Sequence, residues 1–276
     1  MKKFLKKYGW GLLGVAVSTV VFIVPFIFIF LTSAKGRRES SLLRFSWPTE
    51  WAFFENLVSV VQYSDFMIVR AFFNSTVLTV LSVGIGVILA AMAAWVLARR
   101  KSKLNSVANV LILSGLMIPP AVVPTILLLQ ALGIYGTFPS MVLIEVAFGA
   151  SFTIMLFRAF ISSIPREIDE AAIIDGAGPI RLFFSVIFPL LRSVMFTAII
   201  LNSVFVFNDF VNPLYFLPGD ENATIQLTLF NFQSQFLTRF NWLFMDILLI
   251  TVPMIVMFAF FNKRIVAGMT AGSVKG

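Results

Sequence analysis

Residues 10–31 form an apolar run, from Trp10 to Leu31, that almost no polar side chain interrupts. A bilayer's hydrocarbon core takes about 20 apolar helical residues to cross, so this run is long enough to span one. Lys2, Lys3, Lys6 and Lys7 precede it. A basic start before an apolar run also suits a secretory signal peptide. The apolar core of such a peptide is shorter, about 7–15 residues, and small residues follow at a cleavage site. The length here favours an uncleaved first membrane helix.

Comparable runs recur, and they predict spans over residues 10–31, 71–98, 104–132, 140–162, 192–217 and 241–262. Backbone groups in hydrocarbon must pair within their own segment, which a helix achieves. The expected fold class is therefore all-α: a polytopic membrane protein, one transmembrane domain over 1–276, with six transmembrane helices. Composition agrees. Charged residues are 12% of the chain, against about 25% in soluble domains. The net charge of +8 reads as a topology signal rather than as a nucleic-acid surface. With the N-terminus inside, the inner segments hold Lys2, Lys3, Lys6 and Lys7, then Arg99, Arg100, Lys101 and Lys103. They also hold Arg158, Arg166, Arg181 and Arg192, and finally Lys263, Arg264 and Lys275. Only Lys35, Arg37, Arg38, Arg44, Arg70 and Arg239 fall outside. This asymmetry predicts that both termini are cytoplasmic.

Within the spans, Ser82, Gly86, Ala90, Ala94 and Ala98 recur every four residues. Such a stripe of small residues lets a second helix approach closely, by internal packing or in a subunit contact. Pro119, Pro120 and Pro124 break regular hydrogen bonding in the third span, as a static or a moving kink. Asp209 falls some fifteen residues into the fifth predicted helix. A carboxylate at that depth faces water, a partner or a bracing hydrogen bond. Glu145 and Asp246 lie near the starts of their helices and are expected to reach the outer interface.

Residues 164–190 differ from the rest of the chain. Arg166, Glu167, Asp169, Glu170 and Asp175 crowd its start. Pro165 suits the start of a helix, and Glu167, Glu170, Ala171 and Ile174 then share one face. Gly176 and Gly178 can supply a left-handed residue to end it, Pro179 can open a second helix, and Pro189 can close that one. The expectation is a short helix, a tight turn and a second helix on the membrane surface.

Three stretches carry a family resemblance. Glu170-Ala171-Ala172, then Gly176, then Val186-Ile187-Phe188-Pro189 resembles the EAA loop of binding-protein-dependent ABC importer permeases. The family pattern ends Ile-x-Leu-Pro where this chain has Val-x-Phe-Pro. Residues 207–214 resemble the Trp-Asn-Asp/Glu-Phe-x-x-Pro-Leu segment of the carbohydrate-importing branch, with Phe207 in place of Trp. The ending Gly268-Met269-Thr270-Ala271-Gly272-Ser273-Val274-Lys275-Gly276 is similar to that of the maltose-type permeases.

The resemblance covers essentially the whole chain and implies a type I ABC importer permease fold with a cytoplasmic coupling helix. It implies a subunit that translocates a sugar or oligosaccharide across the bacterial cytoplasmic membrane by alternating access. The implied partners are a second permease subunit, an ATP-binding subunit dimer and an extracytoplasmic sugar-binding protein, besides membrane lipid. ATPase coupling would rest on Glu167, Glu170, Ala171, Ala172, Ile174, Asp175 and Gly176. The tail residues Thr270, Ala271, Gly272 and Ser273 would touch the ATPase dimer interface, and the loop from Phe230 to Phe240 would face the binding protein. Asn208, Asp209 and Asn212 are expected to line the outer part of the sugar path. Their amides offer donors and acceptors to hydroxyls, and the carboxylate is a strong acceptor. On a continuous helix Asn208 and Asn212 would share a face, with Asp209 about 100° round.

The chain has no G-x-x-x-x-G-K-[ST] phosphate loop, so ATP and Mg would bind on the partner ATPase and no cofactor on this chain. Without His or Cys there is no Ser/His/Asp set, no thiol chemistry and no clustered metal ligand. Neither enzyme activity nor nucleic-acid binding is expected. The rival reading is an ion-coupled secondary transporter using Asp209 or Glu145, and a second is a non-transporting membrane scaffold. A requirement for ATP and the partner ATPase separates the importer from the first of these.

Overall fold

The computed structural model describes residues 2–232 and 239–271. Among them every regular element is helical. The chain divides into two compact units, Met1–Val69 with Leu227–Pro253, and Arg70–Gln226 with Met254–Gly276.

In the first unit, α1 (Lys2–Ser33) leads into a short helix α2 (Arg37–Ser40) and a folded loop. The loop is pinned from within. Lys35 is fully buried and donates through Nζ to Arg44 O at 2.7 Å and Ser46 Oγ at 3.1 Å. Asn56 donates to Ser33 O and Lys35 O, and accepts from Asn241 at 2.7 Å. Helix α3 (Phe53–Arg99) is interrupted at Tyr63–Phe66, where Ser64, Asp65 and Phe66 all take positive φ.

The second unit carries the later part of α3, then α4 (Lys103–Met117), α5 (Val122–Ala131) and α6 (Phe138–Ile161). The predicted third span is not one helix. α4 and α5 meet at 120° across residues 118–121. Pro119 and Pro120 have no N–H to extend α4, and Ile118, before a proline, is extended. Pro124 falls in the first turn of α5, where a missing donor costs little. The small-residue stripe faces inward: Ser82, Ala90 and Ala94 are buried. Separately, Gly115 lets α4 come close to α6, since a Cβ there would meet Ser151 Oγ at 2.5 Å.

Beyond α6 come α7 (Glu167–Ile174), α8 (Pro179–Leu182), a π turn (Phe183–Ile187) and α9 (Phe188–Leu190). Then follow α10 (Arg192–Phe207) and α11 (Val211–Phe216). The predicted fifth span is therefore broken too, at residues 208–210. The break is built by Asp209, whose Oδ1 accepts from the backbone N–H of Val211 at 2.9 Å and of Asn212 at 3.2 Å. Asp209 opens α11 instead of lying within a helix, so the helix-face relation expected for Asn208, Asp209 and Asn212 does not hold. The chain closes with α12 (Thr228–Phe232) and α13 (Phe240–Ala271).

By length and composition, Phe53–Arg99 and Phe138–Ile161 can each cross a membrane. So can two bent pairs, Lys103–Met117 with Val122–Ala131 and Pro179–Leu190 with Arg192–Phe207, if each pair is one span. Val17–Ser33 and Phe240–Pro253 are shorter apolar helices.

Candidate functional site

The first helix and the turn of the charged loop fold as their residues predict, but Pro189 does not close the second helix: it sits in the first turn of α9, after the π turn. Glu167, Asp169 and Glu170 sit in the first turn of α7, where negative charge complements the exposed N–H groups. Gly176 ends the helix with φ +79°. Its N–H reaches Ile173 O at 3.0 Å, and that of Ala177 reaches Ala172 O at 2.9 Å. This is a Schellman closure, and its left-handed residue strains any side chain but glycine. Gly178 stays extended and hands over to Pro179 at the first position of α8.

α7 has two faces. Glu167, Glu170, Ala171, Ile174 and Asp175 are exposed, with Ile174 85% exposed. Ala172 turns inward and joins the apolar core of the unit. Beside it Asp169, only 7% exposed, forms an anchor missing from the sequence-based site. Asp169 Oδ2 pairs with Arg99 Nη2 at 2.8 Å, and Oδ1 accepts from Trp95 Nε1 at 2.8 Å. Arg99 Nη2 also donates to Ile164 O at 3.1 Å, and Arg166 Nη2 to Ala98 O at 3.4 Å. The end of α3 therefore clamps both α7 and the segment leading into it. A cavity of about 410 Å³ remains alongside, lined among others by Arg99, Arg100, Arg166, Glu170 and Ile173.

The three predicted path residues part company. Asn208 donates to Val204 O at 2.8 Å and accepts from Gln226 Nε2 at 3.1 Å. Asp209 is engaged locally, by the two N–H groups that open α11 and by Asn212 Nδ2. Asn212 alone of the three lines a cavity of about 660 Å³ between α6, α10 and α11. Phe148, Phe152, Phe205, Gly149 and Asn202 line it too. So does Glu145, which does not reach an interface: it is 6% exposed and its Oε1 has no hydrogen-bond partner among the described residues. Residues of α3 (Ser82, Gly86), α10 (Asn202, Val206) and α11 (Asn212) surround Glu145, which removes the carboxyl from solvent. Asp246 is also buried rather than interfacial, and accepts from Thr228 Oγ1 at 2.9 and 3.2 Å. A sequence signal for the Glu145 site existed, an acid within a predicted span, but nothing near it in sequence declared its neighbours.

Thr270 and Ala271 close α13, whereas Gly272 and Ser273 lie outside the described residues. Of the aromatic loop, Phe230 is exposed in α12 and Phe240 opens α13, while Phe236 lies outside the described residues. No group of three or more metal-ligating side chains occurs among the described residues.

Residues 82–271 match the family described as Binding-protein-dependent transport system inner membrane component. The chain is similar to the melibiose/raffinose/stachyose import permease protein MelC of Bacillus subtilis (strain 168). The two are 31% identical over 264 residues, covering 95% of this chain and 94% of that protein. The fold is similar to a crystal structure of a bacterial ABC transporter involved in the import of the acidic polysaccharide alginate. That match has a TM-score of 0.79 at 19% identity and covers 95% of this chain and 96% of that chain. A second crystal structure shows the bacterial alginate ABC transporter in complex with an alginate pentasaccharide-bound periplasmic protein. It matches with a TM-score of 0.69 at 15% identity over the same shares of the two chains.

Proposed function

This chain belongs to the family of binding-protein-dependent transport system inner membrane components, and from that premise we propose how it moves its cargo: an oligosaccharide crosses by alternating access, driven by ATP hydrolysed on a partner. The chain is the permease subunit of a sugar importer, a transport component and not an enzyme. It is a protein of the bacterial inner membrane.

The observation that carries the mechanism is the two-faced α7. Its inner face is clamped to α3 through Asp169, and its outer face presents Glu167, Glu170, Ala171, Ile174 and Asp175. A short helix held rigidly from behind and bare in front is what a docking element needs. In this reading α7 seats in the ATP-binding subunit dimer, with Gly176 fixing its end. ATP and Mg bind there and not on this chain. The tail from Thr270 to Ser273 touches the same dimer.

The two single membrane helices, the two bent pairs and the two shorter apolar helices make six crossings of one permease domain, both termini cytoplasmic. A second permease subunit completes the path, and an extracytoplasmic sugar-binding protein delivers the cargo, as a periplasmic protein accompanies the alginate transporter. Asn212 lines the path, and Asn208 and Asp209 shape the break that presents it.

The test is reconstitution of this chain with a second permease, the ATPase and the binding protein in proteoliposomes. Uptake of a labelled neutral oligosaccharide is expected to require Mg-ATP and the ATPase and to survive a protonophore. Uptake driven by a proton gradient without ATP would replace this mechanism with ion coupling through Asp209 or Glu145.

A further inference from the structure

We propose that the cavity between α6, α10 and α11 is a saccharide subsite on this chain, selective for an uncharged sugar unit, with Glu145, Asn202 and Asn212 as its polar wall. The proposal rests on the sugar-import reading above and deepens it. It names a binding site, the residues that form it and the class of sugar it accepts.

Small-molecule sites are concave and mostly apolar, with a few placed polar groups and volumes of about 300–1,000 Å³. The cavity, at about 660 Å³, has this form. Phe148, Phe152 and Phe205 expose ring surface, which suits the C–H faces of a pyranose. The polar groups are a carboxyl and two amides, together able to donate to and accept from hydroxyls. Asn202 is held in place by its own bonds: Nδ2 donates to Ala198 O at 2.8 Å, and Oδ1 accepts from Thr153 Oγ1 at 3.2 Å. Gly149 keeps that wall open, since a Cβ there would sit 3.2 Å from Asn202 Oδ1.

Two observations choose the occupant. Glu145 is more than nine-tenths buried, with an oxygen left unpartnered. An acyl chain or an apolar partner helix would leave the polar wall of Glu145, Asn202 and Asn212 unmatched, whereas sugar hydroxyls would match it. Secondly, among the described residues no Lys or Arg lines the cavity. A sugar carboxylate would enter with no cation to pair it, and burying an unpaired charge is strongly unfavourable. The site therefore suits neutral sugars and rejects uronates.

The chain has no cysteine, so a single reporter thiol can be introduced. Phe152→Cys and, separately, Phe148→Cys are to be placed in the reconstituted complex. A water-soluble methanethiosulfonate is then applied with and without raffinose, maltotriose, diacetylchitobiose or trigalacturonate. Uptake of each sugar by the unmodified complex is measured in parallel. The neutral sugar that is transported should slow labelling about fivefold or more, and trigalacturonate should not. Glu145→Gln and Asn202→Ala should each raise its KM about tenfold, the loss of one good hydrogen bond, while the complex still assembles.

Protection by trigalacturonate, or its uptake alone, overturns the selectivity. Unchanged labelling in the presence of a transported sugar, with KM within twofold in both variants, overturns the subsite while leaving sugar import intact. Labelling only by N-phenylmaleimide, with no sugar protecting, means lipid or a partner helix fills the cavity and also overturns it. Neither uptake of nor protection by any of the four sugars sinks both the subsite and the importer reading.

Discussion

The loop at 164–190 and the break at 208–212 both interrupt apolar sequence with polar residues, yet they handle polarity in opposite ways. At α7 the buried carboxylate is paired with a cation, Asp169 Oδ2 with Arg99 and Oδ1 bonded to Trp95, and the unpaired acids Glu167, Glu170 and Asp175 stand outside. At the break the exposed and half-buried groups are engaged, Asp209 by two backbone N–H groups and Asn212, while the unpartnered oxygen, that of Glu145, is inside. One arrangement suits contact with a large protein surface, and the other suits a small polar guest entering a cavity.

The contrast is broken most severely by Asp169→Ala. It strands Arg99, which is largely buried, and removing one partner of such a pair costs about 3–5 kcal/mol. The complex should lose binding-protein-stimulated ATP hydrolysis by more than about tenfold. Joining Asp169→Arg to Arg99→Asp should recover part of it. If Asp169→Ala hydrolyses ATP and transports normally, the anchor is not what holds α7 for docking.

Gly176→Val should come next. Left-handed backbone costs a side chain about 1–2 kcal/mol, more when it is β-branched. Among the described residues nothing lies within 4 Å of a Cβ at this position, so the cost of that first side-chain atom is conformational. Gly178→Ala, at an ordinary extended φ, should be nearly silent. Comparing the melting temperatures of the two purified variants checks this, and equal shifts would contradict the Schellman closure.

Asp209→Ala removes the acceptor for the N–H groups of Val211 and Asn212 and should lower stability by about 1 kcal/mol, as a lost cap does, whereas Asp209→Asn keeps an acceptor and should lose far less. Thermal unfolding of the reconstituted complex separates them. Equal losses would mean that the charge, not the acceptor, matters at the break. The smallest effect on the chain itself belongs to Glu170→Ala, which alters an exposed side chain and should change stability by less than about 0.5 kcal/mol. The same variant should release the ATPase during co-purification. Retention of the ATPase at unchanged yield would detach Glu170 from docking.

The sequence was most legible where structural signals are local. Pro165, the acidic turn, Gly176 and Pro179 lie within fifteen residues, and together they define α7 and its end. The all-helical fold follows equally directly from the apolar runs. The breaks were harder. Pro119 and Pro120 announce an interruption but not its 120° angle. The break after Phe207 depends on Asp209 turning back to its own backbone, which an apolar flank does not reveal. Pro213 suits the first turn of α11 as readily as a kink within one longer helix. The anchor joins residues far apart in sequence, Trp95 being 74 positions from Asp169. From sequence alone Arg99 is one of a basic cluster that signals topology. Glu145 carries no local mark of burial, because α3, α10 and α11 supply the walls around it.

The clamp beneath α7 also makes this part of the molecule a lever. Arg99 grips the Asp169 carboxylate and the Ile164 carbonyl with the same nitrogen, and Arg166 reaches back to the last turn of α3. A push on Ile174 therefore has little slack to take up before it turns the end of α3. The two ends of this lever should respond differently to salt. Ions screen exposed charges such as Glu170 and reach a buried pair far less. Raising ionic strength should thus loosen the grip of a partner on the lever long before it loosens the pivot.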